Sequence, residues 1–181
     1  MATRMKKCVV GLVVLTLPFF GISQSVFDRF DDSERIGTVS ISKGMLTLIA
    51  EMMQEHGDEE SQDFVDIAKN VNGIKVYMSD DEGASADMQA TMKQYVKKSR
   101  LEELMKIKDG DTNLRFYIKN GKDENHVEEL LMFATGLDEK DKKHDVETVL
   151  LTMSGDIDLT KVGSLTEKMN LPKHLNKAKK N

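Results

Sequence analysis

The chain has no tryptophan, a single cysteine and only two prolines, and aromatic residues make up 6% of it. One cysteine cannot form a disulfide framework within the chain or supply a thiolate zinc site. With 2 prolines and 12 glycines in 181 residues, collagen-like and proline-rich classes are excluded. Basic residues number 26 against 31 acidic, a net charge of −5. That balance does not provide the basic face a nucleic acid would need, so no nucleic acid is expected as a partner. What the chain does have is 39% apolar and 31% charged residues over a length that suits one domain. That is enough apolar material for a core.

The apolar residues are unevenly spread. Arg4, Lys6 and Lys7 precede a mostly apolar stretch from Cys8 to Ile22, and Gly21 and Ser23 sit before Gln24. This order is that of a secretory signal peptide cut before Gln24. A membrane anchor is the rival reading, but a helix from Cys8 to Ile22 reaches only ~22 Å, short of a ~30 Å hydrocarbon core. Pro18 also disfavours a regular span. Cleavage removes the only cysteine and leaves 23 basic against 31 acidic residues, a net charge of −8. Cysteine-free export points to the periplasm or cell envelope of a Gram-negative bacterium, with no transmembrane anchor after cleavage.

Residues 24–35 are polar and acidic, a poorly ordered lead-in whose Phe27 and Phe30 can dock. A single α+β domain is expected over 36–171, followed by a lysine-rich flexible tail over 172–181. Ile36 to Ile41 alternates as a strand does. Ser42 is placed to cap a helix bearing Met45, Leu46, Ile49, Met52 and Met53, with Gly57 as its stop. A second helix after Asp58 carries Phe64, Ile67, Ala68 and Val71 on one stripe, and Asn72-Gly73 breaks it. Ile74, Val76 and Met78 alternate with Lys75 and Tyr77. A third helix bears Met88, Met92, Tyr95 and Val96 and ends near Arg100. Met105 to Lys119 reads as a hairpin turned at Asp109-Gly110. Val127 to Ala134 reads as a strand or short helix, 138–145 as a loop, and Thr148 to Ser154 as a strand. Asp158 then caps a last helix with Val162, Leu165 and Met169.

The order predicts an α+β fold of two layers, a mostly antiparallel sheet with helices packed on one face. Val39, Ile41, Ile74, Val76, Phe116, Ile118, Leu151 and Met153 are expected on the buried side. Met45, Ile49, Ile67, Met88 and Leu165 face them from the helices. Alternation sends Lys75, Tyr77, Arg115 and Tyr117 to the opposite, wet face.

No motif assembles a catalytic or metal site. His56, His126, His144 and His174 lie in charged segments without a ligand spaced i, i+4, and read as solvated. Ser40, Ser42 and Ser154 sit near strand ends without a nucleophile elbow, although a triad needs geometry and not spacing. Asp80, Asp81 and Glu82 are consecutive, so their side chains diverge where calcium needs convergence, and a solvated turn is the plainer reading. Asp156 and Asp158 flank Ile157 and read as a strand-to-helix turn with a cap. The methionines at 45, 52, 88, 92 and 153 fall on apolar stripes and read as core. Catalytic, cofactor-binding and metal residues are therefore set at none, with no cofactor and no identified binding residue.

Several segments in order nonetheless resemble one family: Phe27-x-x-Phe30, Val39 to Met45, Gly73 to Tyr77, Glu103 to Lys108, Leu114 to Lys119 and Met153 to Leu159. Together they are similar to the domain of unknown function 4252 family of small exported bacterial proteins, over nearly all of 26–170. The resemblance implies an exported α+β envelope protein and supplies no catalytic residues. The expected function is a non-enzymatic binding or interaction module for an envelope protein or ligand. The alternative is a hydrolase or other enzyme with dispersed carboxylates.

Overall fold

The computed structural model describes residues 25–54, 59–137 and 146–161. Several expectations lie outside the described residues: the leader and its cut, His56, Gly57, the loop over 138–145 with His144, the stripe from Val162 to Met169, and the tail with His174.

Within the described residues, a one-turn 3-10 helix at Asp28–Phe30 leads into β1 (Gly37–Ser42), α1 (Lys43–Gln54) and α2 (Glu59–Asn70). Then come β2 (Val71–Ser79), α3 (Glu82–Ser99), β3 (Glu102–Asp109), β4 (Thr112–Asn120), β5 (His126–Thr135) and β6 (Thr148–Asp158). All six strands form one sheet in the order β1-β2-β6-β5-β4-β3, every neighbouring pair antiparallel. The expected α+β class with an antiparallel sheet is therefore present.

Local chemistry accounts for several boundaries. Asp81 sits at the N-cap of α3, and its carboxylate accepts from Ala84 N at 2.7 Å. This satisfies one of the donors left orphaned at a helix start. Arg100 closes α3 in the left-handed conformation, its N–H bonding Val96 O. Ser42 Oγ accepts from Met45 N at 3.4 Å at the start of α1. Two boundaries differ from expectation. Asn72-Gly73 does not end a helix but lies at a bulge early in β2. Gly155 and Asp156 belong to β6, not to a turn. Gly155 has φ +142°, and a Cβ there would approach Asn70 O to 2.4 Å, so the bulge that brings β6 against the α2–β2 junction requires glycine. The segment over 127–134 is strand throughout.

Register follows the alternation. One continuous row runs Val39, Val76, Leu151, Met132, Phe116, Met105 across all six strands. Beside it runs Ile41, Ile74, Met153, Leu130, Ile118. On this face Leu46 and Ala50 of α1 and Val65, Ile67 and Ala68 of α2 pack with Ile118, Leu130 and Ile157. Two corrections apply here. Met45, expected to face the sheet, is exposed. Phe116 and the rest of the first row are at most half-buried, so this face is not where the largest side chains disappear.

They disappear on the opposite face, which was expected to be wet. Tyr77, Tyr117, Leu131, Phe133 and Leu150 are buried there with Ala84, Met88 and Met92 of α3. The two-layer arrangement with helices on one face is thus corrected: helices pack on both faces. The physical reason is that a tyrosine beside lysine or arginine reads as polar in an alternating strand, yet its ring buries as readily as phenylalanine. Phe27 and Phe30, from the expected lead-in, are fully buried in this second cluster. Phe27 meets Tyr95 edge-on at 4.9 Å and Phe30 meets Tyr77 edge-on at 5.7 Å.

Candidate functional site

The α3 face of the sheet changes character from one end to the other. The row under α3 runs Thr38, Tyr77, Leu150, Phe133. The next begins Ser40, Lys75, Thr152, and the third reads Ser42, Gly73, Ser154, Glu129, Lys119. Alternation puts these polar side chains on the same face as the aromatic core. Where they begin, the helical cover gives way to a cleft of about 620 Å³, floored by Ser40, Thr152 and Ser154 and walled by Ser25, Val26 and Tyr95.

The wall is tied down from both sides. Lys75 Nζ donates to Asp28 and Asp31, at 2.8 Å each. Burial works against the charged ammonium, but the two carboxylates outweigh it and hold Lys75 above its ordinary value. Arg29 reaches α3, donating to Asp87 and Thr91. Arg35 pairs with Asp81 at 3.0 Å. With Phe27 and Phe30 inserted below, the chain from 25 to 35 forms a strap tied to β2 and α3, and its inner edge is one wall of the cleft.

At the far side Tyr95 Oη donates to Glu129 Oε2 at 2.8 Å. Burial pushes the Glu129 carboxyl above its ordinary value, opposed by the hydrogen bond from Tyr95. Burial, with the Glu129 carboxylate adding to it, pushes Tyr95 to about 12. Lys119 pairs with Glu128 at 2.7 Å. Both lysines of the cleft therefore already hold carboxylates, and its hydroxyl groups, with the Asn72 amide, are donors left to meet a ligand. Such a surface offers hydrogen bonds and has no cation free to select an anion.

Of the residues weighed from sequence, the structure brings Ser40, Ser42 and Ser154 together in this cleft. His126 is not part of it; its Nδ1 lies 2.7 Å from Asp123. Asp156 pairs with Lys122 at 2.6 Å, and Asp158 accepts from Thr160 N at 2.9 Å as a helix cap does. The Thr160 hydrogen bonds hold the Asp158 carboxyl below its ordinary value. Asp81, from the acidic run, is the α3 cap. Met88 and Met92 are core, whereas Met45 and Met52 are exposed. Among the described residues no group of three or more histidine, cysteine, aspartate or glutamate side chains converges as a metal site would. Sequence reasoning passed over Lys75, Tyr95, Thr152 and Glu129. The signal for the three strand residues among them was faint, hydroxyl and charged side chains at every second position of strands otherwise apolar, and Tyr95 lay on the apolar stripe of α3.

The chain matches, over residues 30–165, the family described as a domain of unknown function (DUF4252), and it belongs to that family. No curated protein and no solved structure matches the chain. No helix among the described residues is long and apolar enough to cross a membrane.

Proposed function

We propose that this family member is an exported bacterial envelope protein that works by binding, and that the cleft on the α3 face holds its ligand. One observation carries the reading. The sheet face is closed by aromatic packing at one end, while at the other its hydroxyl rows stand open between the strap and Tyr95. A wetted sheet face is polar in any case; what sets this one apart is the walled cleft above it. Here the side chains turn polar where the cover ends, and small groups leave the volume unfilled. Because Lys75 and Lys119 are each neutralised by carboxylates, the chemistry favours an uncharged ligand rich in hydroxyl or amide groups.

The test is retention of small molecules and glycan fragments from envelope extract, identified by mass spectrometry. Thr152→Trp fills the cleft floor and serves as the comparison. A neutral polar compound retained by the native protein and lost by Thr152→Trp supports the proposal. Equal retention by both, or retention of nothing, contradicts it. Export has its own readout, since the protein recovered from the envelope should begin at or near Gln24.

A second reading rests on Glu129, a cleft carboxyl raised by burial and hydrogen-bonded to Tyr95. Carboxyls with raised pKa serve as general acids. Glu129→Gln separates the two: a binding protein keeps its ligand and shows no turnover to lose, whereas an enzyme keeps the ligand and loses conversion of it.

A further inference from the structure

The two edges of the sheet are unlike. On the outer strand β3, Glu102, Glu103, Lys106, Lys108 and Asp109 are charged. Such charges blunt an edge against pairing with another chain. The other edge, β1, reads Gly-Thr-Val-Ser-Ile-Ser and carries none. Among the described residues, no backbone bond beyond the pairing with β2 occupies it.

The same edge collects exposed apolar side chains. Of the six large apolar residues most exposed among the described ones, Val39, Met45, Leu48 and Met52 all belong to β1 and the helix that follows it directly. Met45, Leu48 and Met52 are spaced i, i+3, i+7, one stripe of α1. Its charges are set unusually. Lys43 stands at the start of α1 and Glu51 near its end, each at the end its own helix dipole disfavours. Both are exposed, and among the described residues neither has an ion-pair partner.

We infer that this edge is a two-fold interface with a second copy of the chain, β1 pairing antiparallel with β1 and the α1 helices meeting alongside. The pattern is self-complementary. Centred on Ser40, the pairing sets Val39 against Ile41 of the second copy and Thr38 against Ser42. Apolar pairs then fall on one face and hydroxyl pairs on the other, with no like charges opposed. Antiparallel α1 helices bring the Lys43 end of one copy to the Glu51 end of the other. A two-fold contact requires such a patch to fit itself.

Sedimentation equilibrium of the purified protein tests this. The expected result is a reversible dimer whose dissociation constant rises at least tenfold in Val39→Lys and is unchanged in Leu104→Lys, a matched change on the charged edge. Lys43→Glu should weaken the dimer, and Lys43→Glu combined with Glu51→Lys should restore it. Circular dichroism melting confirms that each variant is folded. A monomer at all concentrations overturns the inference, as does a dimer indifferent to Val39→Lys or one dispersed by Leu104→Lys.

Discussion

Tyr77 has no exposed surface, and its hydroxyl is buried without a hydrogen-bond partner among the described residues. Burial pushes that hydroxyl above its ordinary pKa. A buried polar group left unpaired costs stability that its apolar counterpart does not. Tyr77→Phe should therefore leave urea stability unchanged or raise it by up to about 1 kcal/mol. Phe27→Ala removes a fully buried ring from the same cluster and should cost about 3–5 kcal/mol in the same assay. Glu129 gives a pH-dependent counterpart. Its folded pKa lies above the ordinary 4.5, so the folded state holds the proton more tightly than the unfolded one. The contribution of Glu129 to stability is thus greatest below about 4.5 and is lost as pH rises through the raised value. Denaturation curves across that range should show the native protein losing stability relative to Glu129→Gln as pH rises. The opposite trend would mean that the carboxylate, not the acid, is the favoured form in the cleft.

At the scale of elements, α3 depends on its cap. Asp81→Ala loses the bond to Ala84 N and the pair with Arg35, and should cost about 1 kcal/mol in thermal or urea unfolding. Phe116 on β4 is only half-buried. Phe116→Ala should accordingly cost about 2 kcal/mol, less than Phe27→Ala, although Phe116 is the more conspicuous strand residue. That contrast shows what was legible. Alternation in 74–78 and 114–119 set which residues share a face, and the register agrees. It did not show which face is deeper, because Lys75 and Arg115 made Tyr77 and Tyr117 look solvated. Only the arrival of α3 and the strap, from distant positions in the chain, buries those rings. The polar half of the cleft was hidden for the same reason. Ser40, Lys75, Thr152 and Ser154 belong to three strands, and only register lays them side by side. Asp81 read as one of three solvated acids in a turn, because only the arrival of Ala84 N at its carboxylate marks it as the α3 cap.

For the whole molecule, the sheet divides the work. The α1–α2 face carries two rows of aliphatic and aromatic side chains, the α3 face carries the most deeply buried cluster, and its open end presents hydroxyls. The ion pairs agree with this division, because those of Lys75 fasten the strap and, with the Lys119–Glu128 pair, leave neither cleft lysine free. Hydrogen–deuterium exchange tests the binding claim most directly, comparing the protein alone with the protein incubated in envelope extract cleared of macromolecules. The account expects added protection in peptides covering 25–31, 72–76 and 150–155, lost in Thr152→Trp. Protection confined to β3 and β4, or none in those three segments, would contradict it.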